Sequence, residues 1–157
     1  MRNTGLYLSK DNTTFTVRAA ALIVRDGKLL MAKSSDHPCY YTVGGVVELG
    51  ESSAEAVVRE VREETGCMLD IDRLAYVQER FFTVSGHKYH ELVFFYQMRD
   101  STALTIADGD FTDQPPKETL HWLPIRDLPS LNIVPECLKT WGLDGFDGPV
   151  HIVTREG

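Results

Sequence analysis

The sequence lacks any hydrophobic stretch long enough to cross a membrane as a helix. Such a helix needs roughly 20 apolar residues, whereas the longest apolar run in the N-terminal part extends only from Ala19 to Val24. Residues 1–15 also contain no apolar segment of the kind that a secretory signal carries. We therefore expect a protein with no membrane partner.

Cysteine is scarce, and its spacing excludes two common uses. The three cysteines, Cys39, Cys67 and Cys137, are an odd number, and no two of them form a Cys-x-x-Cys pair. This pattern gives neither a disulfide framework nor a zinc site. A reducing, cytoplasmic location is the expected one.

Basic residues are in the minority. The chain has 16 Lys and Arg residues against 23 Asp and Glu, which gives a formal net charge of −7. An acidic protein attracts neither long nucleic acid nor an anionic membrane, so nucleic acid is disfavoured as a partner. Small phosphorylated ligands remain compatible with this charge, because bound metal ions supply positive charge locally.

Length and composition predict one globular domain that spans residues 1–157. Hydrophobic residues make up 43% of the sequence and charged residues 25%, which is ordinary for a folded protein. A chain of this length buries a core without disulfide bonds. No repeat or low-complexity stretch marks a boundary between domains.

Hydrophobic patterning predicts several strands around one well-defined helix. The predicted strands are residues 15–25, 28–33, 71–82, 87–98, 121–124 and, at an edge, 149–154. Helices are predicted over 53–65 and, from Pro135, over 135–141, whereas 34–45 and 99–117 are predicted as loops, the second with an irregular hairpin as the alternative. This order predicts an α/β domain of the α+β type with a mixed β-sheet.

The predicted helix 53–65 concentrates acidic residues on one side. Ser52 and Glu55 form a capping-box pattern at its start, and Gly66 suits its end. At about 100° per residue, Glu60, Glu63 and Glu64 fall on one arc beside the apolar stripe. The small Ala56 lies in the same arc and is expected to leave room above the helix.

Two interpretations fit this arc. Exposed charged faces are common on helices, and Arg59 and Arg62 would then be the ion-pair partners of the glutamates. However, like charges at this spacing repel, and residues 48–64 contain six acidic and two basic residues, more than half of the net charge. Clustered carboxylates suit hard cations such as Mg²⁺ or Mn²⁺.

The same segment resembles the Nudix box, GX5EX7REUXEEXGU, in which U is aliphatic. Gly45, Glu51 and the run from Arg59 to Cys67 occupy its positions, with Cys67 as a small hydrophobe at the last U. One departure lies just before the box, where Val43 stands at the place of a frequent proline. The resemblance implies the Nudix fold from about residue 15 to 142, a mixed β-sheet in an α-β-α sandwich.

The resemblance also implies a Mg²⁺-dependent pyrophosphohydrolase and a role for each matching residue. The metal ligands would be Glu60, Glu63, Glu64 and the backbone carbonyl of Gly45, while Arg59 would orient Glu60 and Glu51 would support the junction of loop and helix. The general base varies within the family, and here Glu60, Glu63 or an acid on a distal loop would serve. Glu118 is the first distal candidate, followed by Asp110 and Asp113.

Several other residues have a functional and a structural interpretation. Arg18, Arg80 and Lys33 are candidates for phosphate contact, and Tyr40 or Tyr41 for stacking on a base. One of Phe81 and Phe82 is expected in the core and the other at the pocket, because neighbours on a strand face opposite ways. We expect His87, His90 and Glu91 to be surface or pocket residues rather than metal ligands, and Met31 and Trp122 to be core residues.

The substrate is only partly restricted. The sequence shows none of the secondary motifs that mark the NADH, ADP-ribose or coenzyme A subtypes. This leaves a small nucleotide, either a nucleoside triphosphate, oxidised forms included, or a nucleoside diphosphate linked to another group. The alternatives are a non-catalytic, nucleotide-binding regulatory domain and an RNA 5′-end pyrophosphohydrolase. A homodimer is an option, because dimers are common in the family.

Overall fold

Strands dominate the part of the chain that the computed structural model describes, residues 4–139 and 148–156. The strands are β1 (Tyr7–Lys10), β2 (Thr13–Leu22), β3 (Val24–Arg25), β4 (Lys28–Lys33), β5 (Tyr40–Val46), β6 (Ile71–Val84), β7 (His87–Met98), β8 (Thr119–Pro124), β9 (Ile133–Val134) and β10 (Val150–Arg155). The helix α1 spans Ser53–Thr65, and two short 3₁₀ helices span Ile125–Ser130 and Glu136–Lys139. Among these helices, none is of the length and apolarity that a membrane crossing requires.

The strands form a mixed sheet in the order β10-β6-β7-β2-β5-β4-β3, with β1 added to β2, β8 to β4 and β9 to β5. The pairs β2–β7, β6–β10 and β5–β9 are parallel, and the other pairs are antiparallel. The predicted α+β class with a mixed sheet is therefore confirmed.

The helix α1 begins and ends where the sequence predicts. The Ser52 side chain accepts from the backbone N–H of Glu55 at 3.1 Å, and the Glu55 carboxylate accepts from the backbone N–H of Ser52 at 2.8 Å. Together they satisfy two N–H groups that a helix start otherwise leaves unpaired. At the other end Gly66 takes the left-handed conformation with φ 74° and donates to the Arg62 carbonyl.

Two apolar clusters cover the two faces of the sheet. On one face, Ala19 and Ala21 of β2 pack with Val57 and Val61 of α1. On the other face, Ala20 and Leu22 pack against the two 3₁₀ helices through Leu128 and Leu138. The second layer of the expected sandwich is thus made, in the described residues, of short 3₁₀ helices. Ala56 belongs to the first cluster and is fully buried, so it does not leave open room above α1.

Three segments differ from the sequence-based prediction. The predicted loop 34–45 contains β5, whose glycines and polar residues look like turn residues but pair with β2 and β4 at the centre of the sheet. The strand β1 was not predicted, since its four residues are all exposed. The predicted helix 135–141 is a 3₁₀ helix over Glu136–Lys139, and its last two residues lie outside the described part. The edge strand predicted at 149–154 is present as β10.

Candidate active site on the sheet and its helix

Arg59 connects three carboxylates of the predicted site. Its Nε and Nη2 donate to the two carboxylate oxygens of Glu51 at 2.7 and 3.0 Å. Its Nη1 donates to Glu60 Oε1 at 2.8 Å and to Glu63 Oε2 at 3.2 Å. Nη2 also reaches the backbone carbonyl of Val46 at 3.1 Å, which attaches α1 to the end of β5. Only an arginine offers enough donors in fixed directions for this set of partners.

This network shifts the pKa values of its members in different directions. The hydrogen bond from Arg59 lowers the pKa of Glu51, and the Glu51 carboxylate in turn raises the pKa of Arg59. The pKa of Glu60 is raised, because burial outweighs the stabilising contact with Arg59. Glu63 is the most open member of the network, with 45% of its side chain exposed against 14% for Glu60.

The glycine pair lets β5 approach both the helix and the neighbouring strand. A Cβ atom built on Gly45 would collide with the Glu60 carboxylate, and one on Gly44 would collide with the carbonyl oxygen of Ala19. Any larger residue at either position would therefore separate β5 from α1 or from β2. The absence of side chains brings the Glu60 carboxylate directly against the backbone of Gly45.

Glu64 is the residue with the least satisfied carboxylate. Its Oε1 accepts only a long hydrogen bond of 3.5 Å from the backbone N–H of Gly44, and its buried Oε2 has no hydrogen-bond partner. Burial, with a further contribution from nearby Glu60, raises the pKa of Glu64 to about 9 in the metal-free protein. A buried carboxylate oxygen without a partner is costly unless a cation contacts it.

These residues fit a divalent cation that keeps part of its water shell. Among residues 4–139 and 148–156, no three His, Cys, Asp or Glu side chains converge closely enough to form a complete cage. Mg²⁺ does not need such a cage, because it is commonly held by one or two carboxylates and several waters. Glu64, Glu60 and the backbone at Gly45 offer oxygen ligands of this kind.

A cavity of about 630 Å³ opens beside the glycine pair. Arg18, Tyr41 and Glu118 line it together with Gly44 and Gly45. Burial raises the pKa of Tyr41, and a hydrogen bond to the Glu118 carboxylate raises it further. Arg18 lies close enough to Glu60 and Glu64 for its charge to favour their ionised forms, and its position in the cavity makes it a candidate for contact with an anionic ligand.

The loop that carries Glu118 is attached to the end of α1. The backbone N–H groups of Asp113 and Gln114 donate to the carbonyls of Glu64 and Glu63 at 2.8 and 2.9 Å. The buried Thr112 hydroxyl accepts from the N–H of Glu118 at 3.0 Å. These bonds place Glu118 in the cavity. By contrast, the other two distal candidates lie elsewhere: the Asp110 carboxylate accepts from Ala107 N–H at 2.8 Å, and Asp113 lies beside Gly66.

Most of the remaining candidates occupy structural positions. Lys33 lies over the Tyr40 ring at 4.9 Å and does not reach the cavity. His87 contacts Thr14 and Asn12. Met31 is fully buried in the core, and the half-buried Trp122 packs on the helix side of the sheet.

The two phenylalanines face opposite ways, but neither lines the cavity. The Phe81 ring stacks on His90 with 4.2 Å between the ring centroids, and the Phe82 ring stacks on Tyr89 with 4.9 Å between the centroids. Arg80 lies over the Phe82 ring and does line the cavity, although its side chain is already paired with Glu156 at 2.8 Å.

Gln78 is a polar residue of the cavity that the sequence did not point to. Gln78 lies on β6, has no exposed surface, and lines the cavity together with Glu91, Val93 and Phe95 of β7. The strand also carries two acidic residues and two arginines, so no signal in its own sequence singles out Gln78.

The fold and the site together define an α+β protein that holds a carboxylate cluster on one helix against a glycine pair. A family model described as the NUDIX domain matches residues 14–141. The chain therefore belongs to the Nudix family.

Curated relatives support this assignment. The chain is 30% identical over 113 residues to the NAD-capped RNA hydrolase NudC of Pseudomonas putida, covering 70% of this chain and 37% of that protein. It is 41% identical over 61 residues to an ADP-ribose pyrophosphatase of Methanocaldococcus jannaschii, covering 37% and 36%. A CTP pyrophosphohydrolase of Escherichia coli is 40% identical over 75 residues, covering 45% and 54%. The matched part thus spans about a third to a half of these relatives.

Solved structures agree with the fold. The E. coli ORF135 protein has a TM-score of 0.55 at 25% identity, covering 79% of this chain and 84% of that one. A NUDIX hydrolase from Nitrosomonas europaea has a TM-score of 0.63, covering 90% and 79%. At 15% identity the second match concerns the fold alone.

Arg59→Lys is expected to destabilise the metal-free protein. A lysine cannot replace the bidentate contact with Glu51 and still reach Glu60 and the Val46 carbonyl. The free energy of unfolding, measured by urea denaturation, should fall by about 1–3 kcal/mol. The control is Arg62→Lys on the exposed side of α1, for which we expect a change within about 0.5 kcal/mol. Equal effects of the two changes would show that Arg59 is an ordinary surface arginine.

Proposed function

We propose that the protein is a pyrophosphohydrolase that uses Mg²⁺ or Mn²⁺ to split the phosphoanhydride bond of a small nucleotide. The observation that carries this proposal is the Glu64 carboxylate, which is buried beside Glu60 and the glycine pair and leaves one oxygen unpartnered. A site for nucleotide binding alone has no need for such an oxygen.

The chain's residues divide the work between holding the cation and holding the substrate. Glu60, Glu63, Glu64 and the Gly45 carbonyl are the proposed metal ligands, and Arg59 and Glu51 keep the first two in place through the contacts described above. Arg18, which lines the cavity, is the proposed contact for a phosphate oxygen. A bound divalent cation supplies charge neutralisation of the diphosphate and acidifies a water molecule.

Glu118 is the proposed acceptor of the proton from the attacking water. It lines the same cavity as Gly44 and Gly45, whereas Glu63 lines a separate recess with Arg59 and Arg62. The Glu118 carboxylate contributes to the raised pKa of Tyr41, so the Tyr41 hydroxyl stays protonated beside the proposed base. Glu60 is the weaker candidate, because one of its oxygens is already held by Arg59.

The size of the cavity supports a small substrate. A volume of about 630 Å³ lies within the usual range for small-molecule sites. A nucleoside triphosphate, oxidised forms included, or a nucleoside diphosphate joined to another group would fit this size. The similarity to an NAD-capped RNA hydrolase keeps an RNA 5′ end as a second candidate, although the net charge of −7 disfavours it.

The first experiment is a substrate panel with Mg²⁺. Nucleoside triphosphates, nucleoside diphosphate derivatives and a short 5′-triphosphorylated RNA are incubated with the protein, and products are identified by mass spectrometry. Release of a nucleoside monophosphate from the small nucleotides supports the proposal. If no compound is hydrolysed and Glu60→Gln leaves ligand binding unchanged, the protein is a binding domain.

Glu64→Gln is expected to lower turnover by a factor of about 10² or more, because it removes the charge that holds the cation. The fold should survive, since a neutral amide is easier to bury than a carboxylate. The control is Glu55→Gln, the same change on the far side of α1, where a glutamine can still complete the capping box. An unchanged rate in Glu64→Gln would exclude Glu64 as a metal ligand.

Glu118→Gln is expected to lower kcat by about 10²–10⁴, the usual contribution of a general base, with little change in metal binding. Asp113→Asn on the same loop is the control, because its side chain is exposed and lines no part of the cavity. Glu63→Gln is measured in parallel. Full activity in Glu118→Gln would exclude Glu118 as the base and leave Glu60 and Glu63 of the helix as the candidates.

A further inference from the structure

The floor of the cavity, farther along the sheet from the glycine pair, is formed by β6 and β7. Gln78 pairs with Val93, and Arg80 pairs with Glu91, in the antiparallel register of these strands. Gln78 and Glu91 are therefore diagonal neighbours on one face, close enough for long side chains to reach the same ligand. We call Gln78, Glu91, Val93 and Phe95 the cavity floor.

Gln78 carries an unused hydrogen-bond acceptor. Its Nε2 donates to Thr154 Oγ1 at 3.0 Å, whereas its Oε1 is buried and has no partner. Buried amide oxygens are nearly always paired, and an unpaired one weakens the fold. A residue of this kind, kept in a cavity wall, is explained by a ligand that donates to it.

Glu91 adds acceptor capacity beside it. Only 13% of its side chain is exposed, and its contact with Arg80 is long, at 3.5 Å. Arg80 is held instead by Glu156, through a contact of 2.8 Å. The Glu91 carboxylate is thus only weakly neutralised and able to accept hydrogen bonds from a ligand in the cavity.

The rest of the floor is apolar. Ala20, Val93 and Phe95 line the cavity between these polar groups and the glycine pair. Flat heterocycles pack well on apolar and aromatic side chains. Arg18 lies on the adjacent strand, where it pairs in register with Val93. The cavity therefore offers the Arg18 guanidinium near the glycine pair. Beyond it lies an apolar surface with hydrogen-bond acceptors.

We propose that the cavity floor recognises a nucleobase through its N–H donors, and that it favours guanine. A guanine presents an imino N–H beside an exocyclic amino group, which together match two neighbouring acceptors. Uracil places carbonyl oxygens on both sides of its imino N–H, and these would face the Glu91 carboxylate. Gln78 has no exposed surface, so contact between its amide oxygen and the base requires the neighbouring floor side chains to move. This inference rests on the proposed function and deepens it.

The test is binding of GMP, IMP and UMP to the metal-free protein, measured by isothermal titration calorimetry. IMP lacks the exocyclic amino group of GMP and is otherwise the same. We expect GMP to bind about tenfold or more tightly than IMP, the usual size of such discrimination, and UMP to bind most weakly. Equal binding of GMP and IMP, or a preference for UMP, would overturn the inference.

Two variants test whether the cavity floor causes the preference for GMP over IMP. Glu91→Gln should remove most of the discrimination between GMP and IMP, because it replaces an acceptor by an amide that also donates. Gln78→Met should lower GMP affinity while the unfolding midpoint stays the same or rises, which a purely structural glutamine would not allow. The control is Asp36→Asn on an exposed loop at the cavity wall, which should keep the preference. Discrimination that survives Glu91→Gln contradicts the inference.

The binding measurements and the substrate panel together distinguish a failure of this inference from a failure of the proposed function. Hydrolysis of nucleotides without preference for guanine contradicts the inference and leaves the pyrophosphohydrolase in place. Tight GMP binding without hydrolysis of any compound in the panel contradicts the pyrophosphohydrolase and supports the floor as a base-binding site.

Discussion

The site depends on one guanidinium that neutralises several carboxylates at once. Glu60, Glu63 and Glu64 lie on one side of α1, where like charges repel and destabilise a helix. Arg59 offsets this repulsion for the first two, and its bonds to Glu51 and to the Val46 carbonyl also attach the helix to the preceding loop and to β5. Glu60 and Glu63 are therefore held in position before any cation binds.

The glycine pair determines what this arrangement can bind. Because Gly44 and Gly45 have no side chains, β5 lies against β2 on one side and against the Glu60 carboxylate on the other. The cavity opens at this point, and the loop of Glu118 reaches it through bonds to the end of α1. A negative cluster, a cavity and a candidate base are thus brought together by contacts between parts of the chain that are distant in sequence.

Local signals were enough to predict the helix, and pairing between distant segments was not predictable. The capping box at Ser52 and the stop at Gly66 gave α1 its observed ends, and the spacing of its glutamates indicated a cation site. The strand β5 was missed because its identity depends on neighbours on both sides rather than on its own residues. Gln78 was missed for the same reason, since only the pairing of β6 with β7 and β10 buries it in a cavity wall.

The most direct test of the account is Mn²⁺ binding to the metal-free protein without nucleotide, followed by calorimetry and by electron paramagnetic resonance. We expect the wild-type protein to bind Mn²⁺ and Glu64→Gln to weaken this binding at least about tenfold, whereas Glu55→Gln should leave it unchanged. Identical Mn²⁺ binding by the wild-type protein and Glu64→Gln would contradict the assignment of the buried, unpartnered carboxylate as the centre of the site.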